Sequence, residues 1–172
     1  KFLANIRETD AIIHVLRCFD DENVVHVDGH INPVRDKEII DAELQIKDLE
    51  TIDSRISKVQ KQAQTGGDKQ AKLTFEVLSK YKEALEKGEN ARSVSFDLKD
   101  EQRAAHDLFL LTNKPILYVC NVDEASAVKG NKYVDAVREA IKGEDAELLV
   151  IAAKIESEIA EFETYEERQM FL

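Results

Sequence analysis

Two short apolar runs that end in polar residues are the features of this sequence that could do chemistry. The first run covers residues 115–120, and the second, about thirty residues further on, covers residues 148–151. Open α/β sheets bind ligands beyond the carboxyl ends of their parallel strands. The sequence therefore predicts a ligand site in the two loops that follow these runs. The candidate site residues are Asn121, Val122, Glu124, Ala152, Ala153 and Lys154.

The residue types in the first loop favour a purine base. The amide of Asn121 matches the N6/N7 edge of adenine. In Ras-like GTPases the two loops read Asn-Lys-x-Asp and Ser-Ala-Lys, and the Asp carboxylate binds two donors of guanine. Here Glu124 is longer by one methylene, about 1.5 Å of reach, and adenine lacks those donors. The tetrapeptide alone is common, but its position after an apolar run and the downstream Ala-Ala-Lys favour a base site that has lost its selectivity for guanine.

Length and charge limit the classes of protein that fit. At 172 residues, the chain is the size of one domain with an insertion. A net charge of −11 argues against a nonspecific nucleic-acid-binding protein. No apolar run approaches the 18 residues of a membrane span. Cys18 and Cys120 lie in apolar runs, so we expect core residues rather than a disulfide or a metal site.

A long helical hairpin is predicted between two stretches of globular pattern. The apolar run Asp10–Phe19 predicts a strand of a parallel sheet covered on both faces. A helix is expected over 34–64, and a second over 69–87 after the Gly66-Gly67 turn. The expected apolar stripe of the first helix is Ile39, Ala42, Ile46, Leu49, Ile52, Ile56, Val59 and Ala63. Two such helices form an antiparallel coiled-coil hairpin that presents a surface to a partner or acts as a spacer.

The rest of the chain alternates between helices and strands. A helix from Asp100 is expected to carry Leu108, Leu110 and Leu111, and further helices are expected over 132–141 and after Ala153. This order predicts an α/β fold: the C-terminal half of a Ras-like doubly wound, mainly parallel sheet with an inserted antiparallel helical hairpin. The predicted domains are a partial nucleotide-binding domain, residues 1–32 and 92–172, and the hairpin, residues 33–91.

Several short sequence segments, distributed over essentially the whole chain, resemble one protein family. They cover residues 1–19, 27–29, 32–33, 43–50, 111–115 and 153–156. These phrases are similar to the YchF subfamily of Obg-like P-loop ATPases, in the TRAFAC GTPase superfamily. Asn32 stands where the family more often has Asp, and Ala152 where it often has Ser. The second departure leaves the backbone N–H of Ala153 as a donor near the base.

The resemblance implies a cytoplasmic ATPase that prefers ATP to GTP, requires Mg²⁺ and associates with the ribosome. It makes Asn121, Val122 and Glu124 the base-reading loop, and Ala152, Ala153 and Lys154 the second wall. The sequence contains neither the phosphate loop G-x-x-x-x-G-K-[ST] nor the Asp-x-x-Gly switch, so no catalytic or metal-binding residue is assigned. The resemblance thus implies an internal fragment without hydrolytic activity, with both motifs before Lys1 and a TGS domain after Leu172.

Two alternatives remain open at this point. The chain could be a non-catalytic interaction module that uses the hairpin as a docking arm. It could also be a degenerate GTPase in which Glu124 still accepts guanine. A glycine-rich phosphate loop encoded upstream in the gene would favour the ATPase over the interaction module.

Overall fold

The computed structural model describes residues 6–20, 30–64 and 68–161. Three strands form one sheet in the order β1-β2-β3: β1 (Ile12–Arg17), β2 (Ile116–Asn121) and β3 (Glu147–Ile151). β2 and β3 are parallel, with Asn121 opposite Ile151, so their carboxyl ends are level. The N–H of Cys18 donates to the carbonyl of Asn121 at 2.8 Å, so the end of β1 reaches the same edge. The predicted α/β fold with a parallel sheet is confirmed.

Five α-helices are described along the chain: α1 (Pro33–Gln64), α2 (Lys69–Glu86), α3 (Lys99–His106), α4 (Lys132–Ala140) and α5 (Ala153–Ala160). Their order is as predicted, and most ends agree within one or two residues. The helix predicted to run from Asp100 through Leu111 is wrong in its extent. It ends at His106, and Phe109 takes a left-handed conformation with φ of 52° that an α-helix cannot include. The sequence also predicts Phe162 as an apolar residue of the last helix, and this residue lies outside the described ranges.

The chain divides into two compact units. The first comprises Lys1–Ile12 and Glu38–Pro115, and the second comprises Ile13–Lys37 and Ile116–Leu172. These units group residues by their contacts. The domain division at residues 32/33 and 91/92 assumes an insertion into a nucleotide-binding domain, and it stays a prediction.

The hairpin of α1 and α2 is antiparallel. Lys82 Nζ contacts Asp53 Oδ1 at 2.6 Å, and Gln45 Nε2 donates to Asn90 Oδ1 at 2.8 Å. In each pair the two residues are equally far from the boundary between residues 67 and 68, where the chain therefore folds back. One apolar cluster is built around the hairpin and α3. Its buried members are Ile52, Val77, Leu78, Tyr81, Leu85, Ala91, Phe96, Ala104, Ala105, Leu108 and Leu110.

The predicted stripe of α1 is wrong in its first half. Ile39 and Ile46 are 51% and 56% exposed, whereas Leu44 and Asp48 are buried. From Leu49 onward the prediction is confirmed, because Ile52 lies in the core and Leu49, Ile56 and Val59 pack against it. The other buried positions of the first half are Pro33, Lys37 and Asp41. The helix thus buries charged residues in phase with its apolar ones, which an apolar periodicity cannot reveal.

Asp48 explains why a charged residue occupies the core of the first unit. Its Oδ1 accepts the N–H of Leu111 at 2.8 Å, and its Oδ2 accepts both the N–H and the hydroxyl of Thr112, each at 2.8 Å. The Thr112 hydroxyl in turn accepts the N–H of Ala91 at 3.0 Å. Buried polar groups are tolerated when they are hydrogen-bonded in this way. Asp48 therefore joins α1 to the segment that leads into β2.

β1 is covered on one face only within the described residues. Leu16 and Cys18 are almost fully buried, but Ile13 and Val15 are 66% and 61% exposed. The expectation of a strand covered on both faces is therefore wrong for the described part of the chain. An uninterrupted apolar run indicates a strand without showing which face is covered.

Candidate nucleotide-base site

Asn121 connects the two loops that the sequence predicted to act together. It is the last residue of β2, and its Oδ1 accepts the backbone N–H of Ala153 at 3.0 Å. Ala153 is the first residue of α5, and the residue before it, Ala152, has no side chain that could cap the helix. Asn121 thus supplies an acceptor for the start of α5 from the neighbouring strand. Because the donor is an N–H, Oδ1 faces Ala153, and the Nδ2 amine points elsewhere.

Val122 lies beneath the loop rather than on its surface. Its side chain is only 4% exposed, and its N–H donates to the carbonyl of Ile151 at 2.8 Å. This bond continues the β2–β3 ladder beyond Asn121. In this conformation Val122 can contribute backbone and packing to a base site, whereas its side chain is part of the core.

Glu124 and Asp123 have different roles in the turn that follows. Asp123 precedes the 3₁₀ turn Glu124–Ser126, and its Oδ1 accepts the N–H of Ser126 at 3.1 Å. Glu124 is exposed, and within residues 68–161 and the other described ranges its carboxylate makes no hydrogen bond or ion pair. The carboxylate of Asp123 therefore stabilises the turn, and that of Glu124 remains available to a ligand.

The second loop begins with a buried residue and continues on the surface. Ala152 is 6% exposed, and its carbonyl accepts the N–H of Glu156 at 3.1 Å. Ala153 and Lys154 are exposed in the first turn of α5. The Ala153 N–H, expected to be a donor near the base, is occupied by Asn121. Lys154 has no ion pair among the described residues, so its ammonium group can meet an anionic ligand.

Asn131 is a site-supporting residue to which the sequence reading gave no role. It caps α4 by accepting the N–H groups of Tyr133 and Val134 at 3.0 and 3.1 Å, and its Nδ2 donates to the carbonyl of Cys18 at 2.7 Å. These bonds tie the end of β1 to the start of α4. An Asn directly before a helix, preceded by Gly130 with φ of 70°, is a capping signal that was present in the sequence.

Buried titratable groups lie along the strands that carry the site. Cys18 and Cys120 are fully buried, as expected of core residues, and both have free thiols. The hydrogen bond between the two thiols and their burial raise the pKa of Cys18. In β2, the hydroxyl of Tyr118 donates to Glu144 at 2.8 Å, and Lys37 pairs with the same carboxylate at 2.7 Å. These contacts link the strand that ends at Asn121 to Glu144 and, through its carboxylate, to Lys37.

Residues 6–20, 30–64 and 68–161 contain no group of three or more His, Cys, Asp or Glu side chains that could hold a metal ion. No helix in these ranges is long and apolar enough to cross a membrane.

The fold defines an α/β protein with a parallel sheet, polar loops at the carboxyl ends of its strands and an antiparallel helical hairpin. No family model matches the chain. Curated relatives do match it. The ribosome-binding ATPase YchF of Bacillus subtilis is 51% identical over 174 residues, which are 100% of this chain and 47% of the relative. The protein of the same name from Escherichia coli O157:H7 is 43% identical over 100% of this chain and 46% of its own length.

Two relatives with lower sequence identity belong to the same group of proteins. Obg-like ATPase 1 of Xenopus laevis is 37% identical, covering 87% of this chain and 38% of its own length. The solved structure of the Schizosaccharomyces pombe YchF GTPase matches with a TM-score of 0.85 and 29% identity, over 98% of this chain and 46% of that one. This chain is therefore related along its whole length to the YchF subfamily of Obg-like ATPases, as its sequence predicted. It spans about half the length of the curated relatives it matches.

Proposed function

We propose that this chain provides the base-reading wall of a nucleotide-binding domain in an ATPase that acts with the ribosome. The hydrogen bond between Asn121 Oδ1 and the Ala153 N–H carries the proposal, because it holds the two candidate loops together at the carboxyl edge of the sheet. The names of the relatives, ribosome-binding ATPase and Obg-like ATPase, support the same activity. Six residues form the proposed site: Asn121, Val122, Glu124, Ala152, Ala153 and Lys154.

The preference for ATP over GTP is assigned to Glu124. The side-chain Oδ1 of Asn121 already accepts the N–H of Ala153. Its Nδ2 group remains as a donor to a ring nitrogen such as N7, which adenine and guanine share. That contact binds a purine without selecting one. The Glu124 carboxylate can accept a hydrogen bond from the N6 amine beside N7 of adenine, whereas guanine presents the acceptor O6 at that position. Relatives are named ATPases and one solved structure is named a GTPase, so the choice of base is the point to test.

Phosphate and Mg²⁺ require groups that the described residues do not supply. The sequence has no phosphate loop, and residues 6–20, 30–64 and 68–161 contain no candidate metal cluster. The residues present therefore fit the base of ATP but do not fit Mg²⁺, and no step of hydrolysis is assigned to them. Lys154, in the first turn of α5, is the cation of the site that would meet a negatively charged part of the ligand.

The ribosome and the cytoplasm follow from the names of the relatives rather than from the site. Two relatives are named ribosome-binding ATPases, and these names support a ribosomal partner and a cytoplasmic location for this chain. Within the proposal, the α1–α2 hairpin is the surface that meets the partner. The alternative, a docking module without nucleotide chemistry, predicts ribosome binding that does not respond to any nucleoside.

Nucleoside titrations of this chain test the base-reading proposal. Amide shifts in a ¹⁵N NMR spectrum should move at Asn121, Glu124 and Lys154 when adenosine is added, and should move less with guanosine. Glu124→Gln removes the proposed charged acceptor and should weaken adenosine binding. Glu139→Gln, at another exposed glutamate, is the matched control and should leave binding unchanged. Equal responses to both nucleosides would refute the preference, and no response to either would refute the site.

A further inference from the structure

One apolar stripe runs along α1, but α2 covers only part of it. Leu49 and Ile56 belong to the stripe and pack against the buried cluster around the hairpin and α3. Ile39, Ala42 and Ile46 continue the stripe toward the start of α1 at spacings of three and four residues, so they lie on the same side of the helix. All three are exposed, with Ile39 at 51% and Ile46 at 56%. We call Ile39, Ala42 and Ile46 the uncovered stripe.

The uncovered stripe begins where α2 ends, because α1 has 32 residues and α2 has 18. The antiparallel pairing of the hairpin places Glu86, the last residue of α2, level with Leu49. Gly88 then takes a left-handed φ of 78°, and its carbonyl accepts a hydrogen bond from Gln45 Nε2 at 3.1 Å. The helix cannot continue through that conformation. From Ile39 to Leu49, about 15 Å of helix axis, the stripe therefore extends past its partner helix.

Aligned apolar residues on successive turns of a helix differ from single exposed side chains. Isolated aliphatic residues are common on the surface of soluble proteins. A stripe with this spacing is the face that helices use to pack against one another. The uncovered stripe continues the packed seam of the hairpin, so a further helix placed end to end with α2 would bury it in the same manner. An amphipathic helix is therefore the occupant that fits it.

Acidic side chains on both sides of the uncovered stripe specify the charge of that helix. At about 100° per residue, Glu38 lies on one side of the stripe and Glu43 on the other. Both are exposed, and neither makes an ion pair with any described residue. Charges beside a helix-packing face select the partner helix. Lys or Arg residues beside the apolar face of the partner would pair with these carboxylates.

The same carboxylates disfavour other occupants of the uncovered stripe. A second copy of this chain would bring its own Glu38 and Glu43 to the interface, where like charges repel. An anionic membrane surface would meet the same two acids. The charge of the flanks thus favours a basic partner.

We propose that the uncovered stripe binds a basic amphipathic helix of a partner protein. The partner helix lies end to end with α2 and packs its apolar residues on Ile39, Ala42 and Ile46. Its basic residues pair with Glu38 and Glu43. About three turns of the partner span this length of α1. The inference goes beyond the proposed function and does not depend on the nucleotide-base site.

Designed peptides test the proposal on this chain. The probe is a fluorescein-labelled helical peptide of about four turns, composed of Leu, Ala and Lys, with one stripe of Leu and with Lys on both sides of it. A peptide of the same composition in scrambled order lacks the stripe. A third peptide, with Glu in place of Lys, keeps the stripe and reverses the charge. Binding is followed by fluorescence anisotropy.

Paired substitutions test the apolar contact. The test variant carries Ile39→Gln and Ile46→Gln. The control carries Leu98→Gln and Val128→Gln, which remove two aliphatic side chains that are exposed elsewhere in the chain. Circular dichroism reports the helix content of both variants.

A second pair of variants tests the charge. Glu38→Gln with Glu43→Gln removes the two flanking carboxylates. The control is Glu76→Gln with Glu158→Gln, two exposed acids that make no ion pair with any described residue. Both variants change the net charge of the chain equally, so they differ only in the place of the change.

The basic peptide should bind the native chain at least about tenfold more tightly than the scrambled or the acidic peptide. The isoleucine variant should lose about tenfold or more of this affinity, because it removes both aliphatic anchors, while its control keeps the native value. The Glu38/Glu43 variant should bind more weakly and depend less on salt than its control. Amide shifts of the native chain in a ¹⁵N NMR spectrum should centre on Ile39, Ala42 and Ile46, which locates the contact without any substitution.

Four results would overturn the proposal: no binding of the basic peptide, equal binding of the basic and acidic peptides, unchanged affinity in the isoleucine variant, or amide shifts centred elsewhere. Sedimentation adds a fifth. A dimer of the native chain that dissociates in the isoleucine variant would assign the uncovered stripe to a second copy of this chain.

Adenosine titrations of the same samples keep the two proposals separate. A chain that binds adenosine but not the basic peptide contradicts this inference alone. A chain that binds the basic peptide but not adenosine contradicts the base site alone.

Discussion

Asp48 shows at the scale of a single residue how a buried charge can organise a fold. One carboxylate accepts three hydrogen bonds from Leu111 and Thr112, and the guanidinium of Arg7 lies 3.9 Å from Oδ1. Burial raises the pKa of Asp48, although these hydrogen bonds and Arg7 oppose the shift. The side chain is fully inaccessible to solvent. Two of its three hydrogen-bond donors are backbone N–H groups, and the third is the hydroxyl of Thr112.

Removing the Asp48 carboxylate should destabilise the chain severely. Asp48→Ala leaves the N–H groups of Leu111 and Thr112 buried without acceptors, at about 1–3 kcal/mol each. We therefore expect the free energy of unfolding to fall by about 3–5 kcal/mol, measured by urea denaturation. Glu50→Ala, on the exposed side of the same helix, is the control and should change the midpoint little. A small loss at Asp48 would mean that water replaces the carboxylate.

The raised pKa of Asp48 also predicts a dependence of stability on pH. The folded state keeps the Asp48 proton to a higher pH than the unfolded state, whose carboxyl has an ordinary pKa near 3.8. Stability therefore falls as pH rises from that value through the folded pKa. Asn at this position does not titrate. The difference in unfolding free energy between the native chain and Asp48→Asn should shrink as pH rises, and a difference that grows would contradict this sign.

At the scale of elements, α1 buries different kinds of residue along its length. Its second half packs apolar residues into the core around α2 and α3, whereas its first half buries the charged residues Lys37, Asp41 and Asp48 as well as Leu44. The Ile residues that the apolar spacing pointed inward, Ile39 and Ile46, are half exposed instead. The buried positions of the first half thus include charged residues, whereas those of the second half match the apolar spacing.

Truncating one buried and one exposed isoleucine of α1 tests which of the predicted apolar positions lie in the core. Ile52→Ala removes a fully buried side chain from the hairpin core and should lower the free energy of unfolding by about 2–4 kcal/mol. Ile46→Ala removes a side chain that is 56% exposed and should change stability by less than about 1 kcal/mol. Thermal unfolding followed by circular dichroism measures both. Equal losses would show that Ile46 is buried in solution.

The sequence predicted the elements well because their signals are local. The spacing of Leu49, Ile52 and Ile56 and the apolar runs of β2 and β3 each depend on neighbouring residues. The predicted Gly66-Gly67 turn lies outside the described residues. Asp48 was missed because its partners lie more than sixty positions away, and Phe109 because no local signal marks a left-handed residue that is not glycine. The place of Asn121 at a strand end was predicted, but its bond to Ala153 required the register of β2 and β3.

At the scale of the whole chain, the net charge can conceal a segment of opposite charge. The net charge of −11 argued against a nonspecific nucleic-acid-binding protein, yet residues 54–75 alone carry +4. Counterions respond to the local field, which falls off over roughly 8–10 Å in physiological salt. The net charge of the whole chain therefore does not describe the field around this segment.

The chain as a whole should hydrolyse neither ATP nor GTP. The groups that hold phosphate and stabilise its developing charge supply most of the catalysis in such enzymes, and the sequence has no phosphate loop. Phosphate release from either nucleotide, with Mg²⁺ present, should not exceed the rate of a heat-denatured sample. Turnover that depends on Mg²⁺ and grows with protein concentration would show that another part of the chain holds the phosphates.

The antiparallel pairing of α1 and α2 restricts how this hairpin can change in length during evolution. Gln45 faces Asn90 and Asp53 faces Lys82 because both pairs lie at equal distances from the fold-back point. Residues added to one helix alone would shift every pair between the addition and the turn. Additions of equal length near the turn, in steps of seven residues that preserve the packed face, would keep the contacts of Gln45 and Asp53 intact. Length variants of the hairpin should therefore arise as matched insertions in both helices.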